Sequence, residues 1–282
     1  MKSIVIVPVF NQVLDLPSLL EKCARGVAAD EMLFVDDGSD DGSEKLIEKS
    51  GFSYMRFNKR HGIGHALIQG TRYALSQGFE VIVHMAGNGK MDPLEMPRVL
   101  NPVLENKADY VWGSRFLPGG RSDNTPAFRR YGIPYLMNQV PLIFTGKRVT
   151  DSTCGFRAYR LSILNDIAVG WDHPWLFRYE FEYFVLAKVL LSEKYRYHEV
   201  PISMIYPARR KSYSKITPII SWWSMLKPWI IVRLGFEPKS PRVYEFPRPS
   251  SYKFLSPSKA ALPEFKNSRP IISIRRPVKE TA

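Results

Sequence analysis

The chain has 282 residues, 45% of them hydrophobic, enough to bury a full core and to exclude a disordered polymer. Its two cysteines, Cys23 and Cys154, form no Cys-x-x-Cys pair and its five histidines no His-Glu-x-x-His set, which argues against a zinc site or a disulfide framework and fits a reducing compartment. Charge is uneven: residues 1–204 carry 24 Lys/Arg against 23 Asp/Glu, and residues 205–282 carry 16 against 4, so a basic end follows a nearly neutral body and points to an anionic partner.

The apolar run after Met1-Lys2-Ser3 is too short for a signal peptide and reads as a buried first strand. From there, strand-like segments at 4–7, 32–35, 54–57, 81–84 and 110–112 alternate with helical patterns at 16–25, 44–49, 66–77 and 94–105. Asp15 before Pro17 and Asp92 before Pro93 are the expected helix N-caps. This rhythm predicts an α/β fold with a mostly parallel sheet and helices on both faces, whose ligands sit beyond the carboxyl ends of the strands. Chemistry is therefore expected in the loops after residues 7, 35, 85 and 112.

Further on, helices are expected at 131–144 and 180–191 and a strand at 197–205. The segment 216–236 is apolar and holds Trp222, Trp223 and Trp229, with Lys227-Pro228 near its middle. A central charge and proline argue against crossing a bilayer and for lying in its interface; the competing reading has the tryptophans covering the protein core or a second subunit. Eight prolines punctuate 238–277, so the tail is expected to be extended or disordered. The domain expectation is a catalytic domain over 1–205, a basic interfacial segment over 206–236 and a proline-rich basic tail over 237–282.

Two strand ends run into Pro8-Val9-Phe10-Asn11-Gln12 and into Asp36-Asp37-Gly38-Ser39-Asp40-Asp41-Gly42-Ser43. A carboxylate at a strand end can accept from ribose hydroxyls or a base N–H, although an isolated Asp-Asp-Gly-Ser is more often a solvated turn. The turn His61-Gly62-Ile63-Gly64-His65 lacks the third glycine of a dinucleotide fingerprint and is read as the opening of a helix.

Taken in order, VPVFNQ, VDDGSDDGS, GIGHALIQG, MAGNGKMDP, ADYVWGSRFLPGG and DSTCGFRAYR resemble family 2 glycosyltransferases of the GT-A fold, in the branch containing dolichyl-phosphate mannose synthases and polyprenyl-phosphate sugar transferases. The resemblance implies an inverting enzyme that moves a hexose from a UDP- or GDP-sugar to a lipid phosphate at the cytoplasmic membrane face, bound there peripherally. It implies a nucleotide-sugar pocket lined by Pro8, Phe10, Gln12, Asp36, Asp37 and Asn88, and phosphate-facing cations at Arg115, Arg130, Arg209 and Lys215. Such guanidinium groups would grip phosphate oxygens and meet the charge of the leaving group.

One departure bears on catalysis. Relatives present Asp-x-Asp at the end of the fourth strand to hold Mg²⁺ or Mn²⁺, and this chain has Ala86-Gly87-Asn88 followed by Lys90 and Asp92. Hard cations want anionic oxygen ligands. Three readings stand: a weak cation on Asn88 and Asp92, Lys90 supplying the charge itself, or lost transferase activity in a protein that still binds nucleotide-sugar. Gln12 and Pro134 are smaller departures, standing where relatives usually have Glu and Ser. A phosphate acceptor is already ionised near neutral pH and needs no strong base, whereas a saccharide hydroxyl would need one, for which Asp151, Glu180 and Glu182 are candidates. No nucleic-acid partner is expected, and oligomerisation is left open.

Overall fold

The computed structural model describes residues 1–125, 127–166, 171–206, 220–236 and 252–255. The first half alternates as the sequence predicts: β1 (Ser3–Val9), α1 (Leu16–Ala24), β2 (Glu31–Asp36), α2 (Ser43–Ser50), β3 (Ser53–Phe57), α3 (Ile63–Ser76), β4 (Val81–His84), α4 (Met96–Leu104) and β5 (Tyr110–Ser114). There follow β6 (Arg121–Asp123), α5 (Ile133–Met137), α6 (Gln139–Thr145), β7 (Arg157–Arg160), α7 (Ser162–Asp166), α8 (Glu180–Leu191), β8 (Tyr197–Pro201), β9 (Ser203–Ile205), α9 (Ile220–Leu234) and β10 (Tyr252–Leu255).

Eight strands form one sheet in the order β10-β3-β2-β1-β4-β7-β5-β8, and β6 and β9 form a second, two-stranded one. The main sheet is mostly parallel; β7 runs antiparallel between β4 and β5, and β10 runs antiparallel on the β3 edge. Alternation along β1 divides the core. Ile4 and Ile6 face a cluster with α3, α8 and α9, while Val5, Val7 and Val9 face a cluster with α1 and α4. Covering both faces is what buries a sheet this rich in Val, Ile and Leu.

Several expectations need correction. Asp15 makes no side-chain cap, because its backbone is already helical and Leu16 N–H bonds Gln12 O at 2.9 Å. The helix expected at 131–144 is a π-turn, Phe128–Gly132, followed by two short helices that part at Asn138. The amide of Asn138 instead clamps the next loop, donating to Thr150 O at 2.5 Å and accepting from Ser152 N–H at 2.9 Å. The strand expected at 197–205 is two strands in two sheets: β8 pairs with β5, and after Pro201 β9 leaves to pair with β6. Four residues of the proline-rich tail form β10.

Helix α9 packs against α8 and α6. Trp229 is 1% exposed and Met225 and Val232 are buried, so this face covers the core, while Trp223 is 55% exposed. Lys227 Nζ reaches Glu180 Oε1 at 3.1 Å and lies over the Trp175 ring. Helix α8, caught between α3 and α9, is buried on nearly every side. Among the described residues no helix is long and apolar enough to cross a membrane.

Candidate active site

A cavity of about 910 Å³ opens at the carboxyl ends of the strands. The end of β1 contributes Pro8, Phe10 and Gln12, the end of β2 Asp37, the loop after β3 Arg60 and His61, the loop after β4 Ala86 to Asn88 with Lys90, and the end of β5 Arg115. The remaining wall comes from later in the chain, including Arg178, Glu182, Tyr183, Tyr206, Trp222 and Met225.

The two adjacent aspartates do different work. Asp36 is fully buried: its Oδ1 accepts from Ser39 N–H at 2.9 Å and its Oδ2 from the Tyr54 hydroxyl at 3.2 Å, with Arg56 Nε 3.6 Å away. It fastens the turn and does not line the cavity. Asp37 does line it, and its two oxygens accept from His61 N–H at 2.9 Å and Gly62 N–H at 2.7 Å. Burial pushes its carboxyl up to about 6 against those bonds and the charge of Arg60. Gly38 follows at φ +78°, where a Cβ would come within 2.6 Å of the Lys59 backbone, so the turn requires glycine.

The glycines of His61-Gly62-Ile63-Gly64-His65 serve packing. Side chains at Gly62 and Gly64 would collide with backbone atoms of 176–178, and His65 N–H bonds Phe177 O at 3.0 Å. The turn thus opens α3 and seats the segment that carries Arg178.

Asp37, His61 and His65 place three potential ligand atoms within 4.8 Å of one another. The imidazoles are stacked, with centroids 4.3 Å apart and planes 20° from parallel. Their in-plane lone pairs therefore run side by side and do not converge on one ion. Burial holds both rings neutral, with His65 lowered to about 3. Phe57 and Phe177 meet His65 edge-on, the arrangement of a packed wall.

Arg115 is 7% exposed and locked to Asp151, with Thr153 Oγ1 accepting a further bond from Nη2 at 2.6 Å. Asp151 is fully buried in that contact and is not in position to act as a base. Glu180 is paired with Lys227; Glu182 is the one of the three candidates whose side chain lines the cavity, 3.7 Å from Arg157 Nε, with its carboxyl raised by burial. Arg130 is exposed beside Tyr131, away from the cavity lining. Arg209 and Lys215 lie outside the described residues.

After β4, Gly87 sits so close to β1 that a Cβ would be 2.7 Å from Pro8 O, and its N–H bonds that oxygen at 3.1 Å. Asn88 and Lys90 line the cavity. Asp92 does not: it caps Leu94 N–H at 3.1 Å and pairs with Lys22 Nζ at 3.3 Å. The expected Asn88 and Asp92 metal pair is thus not brought together on the cavity wall. A divalent ion at this loop would find no carboxylate among the described residues that line it there, so the residues present do not fit one.

Arg60, whose guanidinium lies 4.5 Å from the Phe10 ring centroid, and Arg178 escaped the sequence reading. The rule that ligands sit at strand ends would have found Arg60, because it follows β3 just as Asp37 follows β2.

A mostly parallel sheet with a nucleotide-sized cavity at its strand ends, walled by one strand-end carboxylate and several cations, is the form of a GT-A glycosyltransferase. The glycosyl transferase family 2 model matches residues 4–168, and the chain belongs to that family and is a glycosyltransferase. It is 34% identical over 172 residues to the undecaprenyl-phosphate mannosyltransferase of Micrococcus luteus, covering 59% of this chain and 70% of the relative. It is 31% identical over 172 residues to the polyprenol monophosphomannose synthase of Mycolicibacterium smegmatis, covering 59% and 64%. Among solved structures, glucosyl-3-phosphoglycerate synthase from Mycobacterium tuberculosis with Mg²⁺ and uridine diphosphate superposes with a TM-score of 0.58 at 18% identity, over 90% of this chain and 86% of that one. That likeness shows the GT-A fold.

Proposed function

We propose that the protein transfers a hexose from a UDP- or GDP-sugar to a polyprenyl or dolichyl phosphate, with inversion, at the cytoplasmic face of a membrane. The observation that carries the reading is the cavity itself, with Asp37 on one wall and Arg60, Lys90, Arg115 and Arg178 on the others. Asp37 suits the nucleoside hydroxyls or base N–H, and the cations suit phosphates of donor and acceptor. The relatives are named for transfer to undecaprenyl phosphate and polyprenol phosphate, which supports the same acceptor class here.

In this reaction an acceptor phosphate oxygen attacks the anomeric carbon in line as the bond to the nucleoside diphosphate breaks. The acceptor is already ionised, so no residue need take a proton from it. Peripheral membrane binding is supported by exposed Tyr131, Tyr135, Ile143, Trp223 and Phe236, carried on the π-turn, α5, α6 and the α9 end, and by the basic excess beyond residue 204. The domain proposal keeps residues 1–205 as the catalytic body and joins Tyr206 and the α9 segment 220–236 to it as a wall that also meets lipid.

Purified protein is expected to release nucleotide from a UDP- or GDP-sugar only when polyprenyl phosphate is present, and to move radiolabelled sugar into a lipid extract. No release with any donor of the panel overturns the reading.

A second reading, transfer to a saccharide hydroxyl, is favoured by one observation: Glu182 lines the cavity with its carboxyl raised by burial, the setting of a general base. Glu182→Gln separates the two. Under hydroxyl transfer it costs about 10²–10⁴-fold in turnover; under phosphate transfer turnover stays within a few-fold.

A further inference from the structure

A nucleoside diphosphate gains negative charge as its sugar departs, and something at the strand-β4 loop must meet it. In this chain that loop is fixed in place. Gly87 is pressed against the end of β1, Asn88 Oδ1 accepts from Lys90 N–H at 3.3 Å, and Lys90 O accepts from Ile205 N–H at 2.9 Å. The side chain of Lys90 is 8% exposed and its Nζ stands 4.4 Å from the centroid of the Tyr206 ring, with both residues on the cavity wall.

The carboxylates on that wall, among the described residues, are Asp37 and Glu182. Asp37 is tied to the turn after β3, and Glu182 sits by Arg157 on α8. Asp92 is turned to Leu94 and Lys22. A hard divalent ion at this loop would have no anionic ligand among the described residues, while an ammonium group is already present and braced by an aromatic face.

Resting on the nucleotide-sugar reading above, we infer that Lys90 replaces the divalent cation as the counter-charge to the donor diphosphate, so that donor binding and transfer proceed without metal. As the acceptor oxygen bonds to the anomeric carbon, the electron pair of the breaking carbon–oxygen bond passes to the phosphate oxygen, and the Lys90 ammonium meets the charge that develops there. Lysine is a compact point charge and needs no coordination shell to do so. Asn88, beside it, can donate from its amide to the same phosphates.

The test is calorimetric titration of the full chain with UDP and with GDP, in excess EDTA and in saturating MnCl₂, followed by sugar release assays under both conditions. The wild type is expected to bind one of the two with the same affinity within about threefold in either buffer, a difference below 1 kcal/mol. Lys90→Met keeps the aliphatic stem over Tyr206 and removes the charge. It is expected to weaken binding in EDTA by about tenfold or more, as loss of one charge-assisted contact requires, and Lys90→Arg to recover most of it. The triple variant Ala86→Asp, Asn88→Asp, Lys90→Met is expected to bind only with Mn²⁺. A wild type that binds only with Mn²⁺, or a folded Lys90→Met that matches wild type in EDTA, overturns the role of Lys90 and leaves the donor reading standing. Binding of neither nucleotide in either buffer overturns the donor reading and the inference with it.

Discussion

The guanidinium of Arg115 meets the carboxylate of Asp151 at two points, Nε to Oδ2 at 2.6 Å and Nη2 to Oδ1 at 2.8 Å, with the two side chains 5% and 0% exposed. Geometry of this kind fixes a charged residue on a cavity wall before any ligand arrives. Removing one partner strands the other charge without solvent. Asp151→Ala is therefore expected to cost about 3–5 kcal/mol in denaturant unfolding, and Arg115→Met with Asp151→Leu to regain much of that stability without restoring turnover. A destabilisation of Asp151→Ala under 1 kcal/mol would show that the pair is not the constraint described.

Asp37 supplies a pH dependence whose sign is fixed. Its carboxyl stands at about 6 in the folded protein against an ordinary 3.8, because burial disfavours the charged form. With a raised folded value, the group's contribution to stability is fully present below about 4 and is lost as pH rises through about 6. Relative to Asp37→Asn, the wild type is expected to lose on the order of 2 kcal/mol across that window. His61 and His65, next to it, are held neutral by burial and shift stability the opposite way, gained as pH rises toward 6.5, a contribution that cancels in the comparison with Asp37→Asn.

Ligand binding should run the other way, since the ionised carboxylate is the better acceptor for nucleoside N–H and O–H groups. Affinity for UDP or GDP is expected to fall more steeply as pH drops below about 6 in the wild type than in Asp37→Asn, where only protonation of the ligand's terminal phosphate remains. Parallel profiles for the two proteins would remove Asp37 from the nucleoside contact.

The tryptophans of α9 should separate into two kinds. Trp229, buried near Tyr183, is expected to cost about 3–5 kcal/mol when changed to alanine, from lost burial and the cavity left behind. Trp223, 55% exposed, is expected to change stability by less than about 0.5 kcal/mol and to reduce sedimentation with anionic lipid vesicles. Vesicle binding that is unchanged in Trp223→Ala together with Phe236→Ala counts against the membrane face.

Gly64→Ala tests how closely α3 seats the segment that bears Arg178. Its added methyl would overlap the carbonyl oxygens of Leu176 and Arg178, which belong to backbone and cannot turn aside. Expected are a loss of about 1–3 kcal/mol, the range for overpacking a tight contact, and weaker nucleotide binding through displaced Arg178. Unchanged affinity in a folded variant would show that Arg178 does not depend on this seat.

The parts legible in sequence were those governed by short-range rules. Alternation of strands and helices located the sheet through β5, and strand-end position marked the loops in which the resemblance singled out the Asp36-Asp37 pair, Gln12 and Lys90. Which of two neighbouring aspartates faces the cavity was not legible, because successive strand residues point to opposite sides and the register at the strand end decides between them. Asp36 is held by Ser39, three residues on in the same turn, and by Tyr54, which folding brings to it from β3. Arg130 matched a motif and yet stands exposed, while Arg60 matched none and lines the cavity. Strand β10 escaped because pairing with β3 joins segments nearly 200 residues apart, a contact that no local pattern encodes.

The family match ends at residue 168, while Arg178, Glu182, Tyr183, Tyr206, Trp222 and Met225 close the cavity from beyond it. One vessel is thus built from two stretches of chain, the strand ends on one side and the segments around α8 and α9 on the other. Substitutions in α8 and α9 can reshape the second half of the vessel without disturbing the strand ends that hold Asp37. Chimeras exchanged at the start of α8 would keep the Asp37 wall and its seat at 176–178 while replacing the wall that carries Glu182, Tyr183 and Trp222.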